Sequence, residues 1–183
     1  MPLQATVTPG QALPPGVASR LRTDHAGEVG AVHIYCGVLR VTRDPALRRF
    51  AHRHLVTEQK HLARIDAWLP ARERSHLLPL WRAAGWLTGA LPAIAGPRAV
   101  YITIEAVETF VEQHYAEQVA YLGARPRWAL LCETLRECMH DEVHHREEAA
   151  AAGGDGQRGH IARAWCALVH AGSLVAVRIC RHL

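Results

Sequence analysis

Two Glu-x-x-His units constrain this chain more than any other feature: Glu58-Gln59-Lys60-His61 and Glu142-Val143-His144-His145. Residues three apart on an α-helix share a face, so each unit aims a carboxylate and an imidazole at one point. A single unit of this kind means little, because both residue types are common on helix surfaces. The apolar neighbours are what discriminate. Around the first unit the helical stripe reads Leu47, Phe50, Leu55, Leu62, Ile65 and Leu69, and Glu58 and His61 fall within or beside it. Before the second, Leu131, Leu135 and Cys138 lead directly into Glu142 and His145. Two further glutamates are bracketed in the same way, Glu28 by Leu21, Val32 and Tyr35, and Glu108 by Tyr101, Ile104, Val111 and Tyr115. Four helices thus each put a carboxylate on the face that must be buried. A buried, unpaired carboxylate is costly, so such groups pair with a cation or coordinate a metal.

The spacing repeats. Glu28 precedes Glu58 by 30 positions and Glu108 precedes Glu142 by 34. Each interval allows half a helix down, a short turn and half a helix back, which brings the ligands of one hairpin to one level. Apolar periodicity and the Pro/Gly breakers predict six helical stretches, over about 17–41, 46–69, 80–94, 98–122, 126–152 and 161 to the C-terminus. No sustained alternation flanked by hairpin turns occurs, so the expected class is all-α. The chain of 183 residues fits one domain over 17–183, preceded by a Pro- and Gly-rich, flexible lead-in over 1–16.

Hydrophobic residues make up 49% and charged residues 21%, the balance of a folded chain. The net charge of +4 is almost all arginine, spread along the chain without a nucleic-acid-binding motif, so no nucleic acid is expected. An anionic membrane surface suits the charge better, because two apolar stretches accompany it, Leu80 to Ile102 and Trp165 to Cys180. Five cysteines without a CxxC pair argue for small buried residues in a reducing compartment. Residues 1–16 carry neither a basic segment followed by an apolar run nor any arginine, so neither a secretory signal nor a transit peptide is expected.

Four inward glutamates and two inward histidines form a ligand set for two cations. The pattern of one Glu from each of two helices and one Glu-x-x-His from each of two others is that of ferritin-like four-helix bundles with dinuclear carboxylate centres. The expected fold is such a bundle with two additional apolar helices. Mixed carboxylate and imidazole ligation suits iron or manganese, and no thiolate belongs to the set. His54 and His144 are the candidates for supporting the ligands from behind. Glu105 and Glu112 are alternatives to Glu108, ranked below it because Glu108 lies centrally among the apolar neighbours.

The segment Asp24-His25-Ala26-Gly27-Glu28-Val29-Gly30-Ala31 resembles the signature of the demethoxyubiquinone hydroxylases, the di-iron monooxygenases of ubiquinone biosynthesis. Glu58-Gln59-Lys60-His61-Leu62, then Ala106-Val107-Glu108 with His114-Tyr115, then Asp141 to His145, are similar to that family's later motifs in the same order. The resemblance runs from about Leu21 to the C-terminus; the glycine-rich loop from Gly153 to His160 departs from the family's pattern. It implies O2-dependent hydroxylation of the demethoxyubiquinol ring by two iron ions. Glu28, Glu58 and His61 would serve one half and Glu108, Glu142 and His145 the other, with bridging shared among the glutamates. His114 and Tyr115 would lie on the substrate side. A polyprenyl quinone is insoluble in water, so the implied enzyme sits peripherally on a membrane, expected at the cytoplasmic face of a bacterial cell. A lipid-binding accessory protein is compatible with such a substrate. The alternative is another ferritin-like di-iron protein, a ferroxidase or a hydroxylase of a soluble substrate.

Overall fold

A computed structural model describes residues 6–154, 156 and 158–183. The described chain folds into six α-helices: α1 Pro15–Val41, α2 Pro45–Trp68, α3 Leu78–Ala95, α4 Pro97–Gly123, α5 Ala129–Gly153 and α6 His160–Cys180. Short 3-10 turns precede α3 (Ala71–Glu73) and α5 (Pro126–Trp128), and there is no strand among the described residues. The all-α expectation is met. Pro126 opens a 3-10 turn rather than the helix itself, so α5 starts three residues later than the periodicity suggests.

Proline sets the starts of α1, α2, α3 and α4, where its fixed φ suits the first turn and its missing N–H costs nothing. At α2 the Asp44 carboxylate also accepts the Leu47 N–H at 2.7 Å, satisfying one of the orphan donors of the first turn.

Helices α1, α2, α4 and α5 form the bundle. Its core is two apolar clusters. One holds Val17, Leu21, Ile65, Trp68, Leu122, Leu131 and Leu135; the other holds Ile34, Val38, Leu47, Phe50, Val100, Ile104 and Ala149. Along α1 the first cluster ends at Leu21 and the second begins at Ile34, and Glu28 lies between them. The polar layer is therefore clamped between two dry layers, each fully buried Leu or Ile contributing about 2 kcal/mol.

Helix α3 crosses α1 with the two backbones in contact. A Cβ on Gly85 would collide with the Gly30 carbonyl, and one on Gly89 with the Ile34 carbonyl. Small residues at this crossing let an apolar helix lie flat on the bundle. Helix α6 packs mainly on α4.

Of the lead-in expected over 1–16, residues 1–5 lie outside the described residues. Beyond them, Val7 is buried in the first cluster and donates its N–H to the Arg127 carbonyl at 2.9 Å. The segment is thus tied to the turn before α5, and helix begins at Pro15. In the loop between α5 and α6, residues 155 and 157 lie outside the described residues.

Candidate metal centre

All six residues singled out from the sequence converge in the middle of the bundle, each 4% exposed or less. Ligand atoms of Glu28, Glu58, His61 and Glu142 lie within 4.8 Å of one another, as do those of Glu58, Glu108, Glu142 and His145. Glu58 and Glu142 belong to both groups. The split by hairpin is therefore refined: each group borrows one glutamate from the opposite hairpin, because α2 and α5 face each other across the core.

The imidazoles approach this layer through Nδ1. His61 Nδ1 lies 3.1 Å from Glu142 Oε1, 3.7 Å from Glu58 Oε2 and 3.8 Å from Glu28 Oε2. His145 Nδ1 lies 3.0 Å from Glu58 Oε1 and 3.3 Å from Glu142 Oε2. These atoms are close without being aligned as hydrogen bonds at several points. Glu28 Oε2, both oxygens of Glu58, Glu142 Oε2 and His145 Nδ1 are buried and without a hydrogen-bond partner. Buried polar atoms are paired as a rule, and a cluster of orphans converging on common points is what a cation site leaves. The donor set, oxygen and imidazole nitrogen only, suits a hard or borderline divalent metal.

Electrostatics agree. Burial, followed by repulsion from Glu58 and Glu142, drives the Glu28 carboxyl well above the usual carboxylate range. Burial and the same two neighbours do this to Glu108. For Glu58, burial also favours the neutral form, but the His145 and His61 imidazoles outweigh it and hold its pKa at about 2. His145 is disfavoured as a cation by burial, yet Glu142 and Glu58 raise it to about 9. Burying one charge without full compensation costs several kcal/mol, more than any single leucine of the core returns. This layer is a cost to folding that a bound cation would remove.

Two tyrosines hold the unshared glutamates. Tyr115 donates to Glu28 Oε1, and Tyr35 donates to Glu108 Oε1 at 3.1 Å. His54 backs the layer as expected. Its ring lies 4.0 Å from that of His145, with Nδ1 3.2 Å from the Tyr35 hydroxyl and Nε2 2.9 Å from Glu148. His144 does not back it; it is exposed. Glu105 pairs with Arg158 at 2.5 Å and Glu112 with Arg146 at 3.3 Å, so neither alternative joins the cluster. His114 Nε2 lies 2.9 Å from both Asp24 Oδ1 and Thr23 Oγ1, and the buried Gln118 amide donates to Asp24 at 3.1 Å.

Tyr35, Asp24, Gln118 and Asp141 are members of this network that sequence reasoning missed. Tyr35 was legible only as an apolar neighbour, although it lies seven residues, two turns, after Glu28. Asp141 directly precedes Glu142 and places Oδ2 3.0 Å from His61 Nε2.

With this geometry in view, the relatives are informative. Residues 16–180 match the model of the family described as ubiquinone biosynthesis protein COQ7. The chain belongs to that family. A Rhodospirillum rubrum protein named 3-demethoxyubiquinol 3-hydroxylase is 35% identical over 149 residues, covering 79% of this chain and 69% of that protein. A Dictyostelium discoideum protein named NADPH-dependent 3-demethoxyubiquinone 3-hydroxylase, mitochondrial, is 34% identical over 132 residues, covering 68% of this chain and 59% of its own. The 3-demethoxyubiquinol 3-hydroxylase of Acinetobacter baumannii is 31% identical over 140 residues, covering 75% and 65%. The chain thus spans between 59% and 69% of the length of these relatives.

Proposed function

We propose that this chain hydroxylates the ring of a demethoxyubiquinol, using O2 and two iron ions held by Glu28, Glu58, His61, Glu108, Glu142 and His145. The observation that carries the reading is the pair of buried four-donor groups sharing Glu58 and Glu142, in a chain of the ubiquinone-biosynthesis family. Four carboxylates and two neutral imidazoles balance the charge of two divalent cations. When bound, such an iron pair supplies the activation of O2.

The protein's own groups do the rest. Glu58 and Glu142 face both groups and would bridge the ions, and Tyr35 and Tyr115 fix the rotamers of Glu108 and Glu28 by hydrogen bonds. The two apolar clusters exclude water from the layer. His114 stacks on Phe110, which meets His170 of α6 edge-on. This supports His114 as a substrate-side residue, with Asp24 holding its ring, whereas Tyr115 is buried in the core with its hydroxyl on Glu28.

The substrate's tail needs an apolar path. Between α3, α4 and the start of α6 lies a cavity of about 530 Å³, lined by Leu91, Ala95, Ile102, Ile161, Ala162 and Trp165 among others. Around it Leu87, Leu91 and Ile94 of α3 and Ile161, Leu168 and Val175 of α6 are exposed. Helix α6 is long and apolar enough to cross a membrane, but it packs along α4 and α1. We therefore read α3 and α6 as a face resting in the bilayer interface. All five cysteines are unpaired, which fits the reducing, cytoplasmic side.

The test is the quinone profile, by mass spectrometry, of a bacterial strain lacking its own demethoxyubiquinone hydroxylase and expressing this chain, beside a Glu58→Ala control. Return of ubiquinone with the intact chain alone supports the reading. Persistence of the demethoxy intermediate with a folded, iron-loaded protein sinks the substrate assignment and favours a ferroxidase or a soluble substrate.

A further inference from the structure

The centre has near-twofold symmetry, and one element breaks it. Glu28 and Glu108 are equivalent, each unshared and each receiving a tyrosine hydroxyl from a neighbouring helix. Glu58 and Glu142 are equivalent as the shared pair. The two histidines are not. His61 presents Nδ1 to the carboxylates, and its Nε2 lies 3.0 Å from Asp141 Oδ2. An ionised carboxylate only accepts, so in the neutral ring that binds a metal the single proton belongs on Nε2, donated to Asp141, and Nδ1 would turn its lone pair to the cation position. His145 also presents Nδ1, but among the described residues no side chain hydrogen-bonds its Nε2; its ring is packed instead against that of His54.

The difference is written in the sequence. Asp141 immediately precedes Glu142, whereas the residue preceding Glu58 is Thr57. Asp141 reaches across from α5 to the histidine on α2. Thr57, at the corresponding place on α2, turns its hydroxyl back to the Arg53 carbonyl of its own helix at 3.4 Å and offers His145 nothing.

A carboxylate on the far nitrogen of a ligating histidine fixes the tautomer and ring orientation and makes the near nitrogen a stronger donor. Asp141 is 41% exposed and Arg64 stands 3.9 Å from it, so solvent and that cation temper its field. The hydrogen bond, which fixes the tautomer, is local and survives both.

We propose that Asp141 is a positioning residue that makes the two halves of the centre unequal, so that the Glu28–His61 half takes up a divalent cation before, and more tightly than, the Glu108–His145 half. This rests on the two-cation reading above. It predicts sequential loading, which that reading does not require.

The test is calorimetric and spectroscopic titration of the metal-free full chain with Co2+, a redox-stable probe that reports ligand field by its visible bands. The wild type is expected to show two resolved steps. Asp141→Asn, an isostere at a half-exposed site, should weaken the first step by about 10-fold or more and leave the second within error. Asp141→Glu should recover part of the loss. A far-ultraviolet dichroism spectrum and unfolding midpoint equal to wild type would show that the fold is intact. Two equal steps in the wild type, or an unchanged first step in Asp141→Asn, overturn the inference. The proposed activity fails separately: a chain that loads Co2+ in two unequal steps yet restores no ubiquinone keeps this inference and loses the substrate.

Discussion

The Tyr35 hydroxyl on α1 donates to Glu108 Oε1 on α4 at 3.1 Å, and His54 Nδ1 lies 3.2 Å from the Tyr35 hydroxyl oxygen. Tyr35 is buried, so it ties a candidate ligand to the residue that packs on His145 without involving water. Tyr35→Phe keeps the ring and removes the hydrogen bonds. Leaving buried polar atoms unpaired costs about 1–3 kcal/mol. The expected result is a fall in unfolding free energy of that size in the metal-free protein, measured by urea denaturation, together with weaker binding of the cation on the Glu108 half.

The metal-free protein should become less stable as pH rises from about 6.5 to 9, above the range in which His54, held at about 4 by burial, gains stability with pH. Burial and neighbouring carboxylates raise Glu28 and Glu108 above their unfolded values, and Glu142 and Glu58 raise His145 to about 9. A group whose folded pKa is raised contributes stability below its unfolded pKa and loses it as pH climbs through the folded one. Glu58, held at about 2, has the opposite sense, but its contribution is complete above the unfolded carboxylate range and is flat in this window. Denaturation midpoints at about pH 7 and 9 check this. The metal-loaded protein should not share the decline, because the cations replace the protons. A midpoint that rises with pH in the metal-free chain would count against the buried, mutually repelling carboxylates.

Gly89→Ala should loosen α3 without touching the centre. Its Cβ would collide with the Ile34 carbonyl on α1, a backbone atom that cannot swing aside. Overpacking of this kind costs about 1–3 kcal/mol. Gly172→Ala on α6 is the contrast, since nothing lies within 4 Å of its added methyl and helix propensity favours it by about 1 kcal/mol. Thermal melts should separate the two, Gly89→Ala falling and Gly172→Ala holding or rising. Flotation with anionic vesicles should weaken for Gly89→Ala alone if α3 helps form the interfacial face.

The helices and the six converging residues were legible in the sequence because both are periodic signals. A carboxylate inside an apolar stripe is conspicuous, and 3.6-residue periodicity places it. The shared roles of Glu58 and Glu142 were open, because which helices face each other depends on packing between hairpins rather than within them. Tyr35 and Asp141 were missed for different reasons. A tyrosine in an apolar stripe reads as core until its hydroxyl's partner is known, and an aspartate at a half-exposed position reads as solvated surface. The α1–α3 contact needed Gly30, Gly85 and Gly89 to be seen together in space. His144 had the right neighbours in sequence, but one residue along a helix rotates a side chain by about 100°, and it faces solvent.

Cation counts in single variants test the sharing directly. Glu58 and Glu142 belong to both four-donor groups, whereas Glu28 and Glu108 each belong to one. Glu58→Ala should therefore reduce bound iron, measured by elemental analysis after anaerobic loading, from about two equivalents to nearly none. Glu28→Gln should retain about one. The amide still accepts the Tyr115 hydrogen bond, so the fold has no reason to suffer. In the metal-free state Glu28→Gln should even raise stability near pH 8, because it removes a carboxyl that burial and two glutamates disfavour as an anion. Glu105→Ala and Glu112→Ala, whose carboxylates are paired to Arg158 and Arg146, should leave the count unchanged. If Glu58→Ala and Glu28→Gln instead lose iron equally, Glu58 is not a bridge. If neither loses iron while Glu105→Ala does, the cluster is a buried ion-pair network and the metal lies elsewhere.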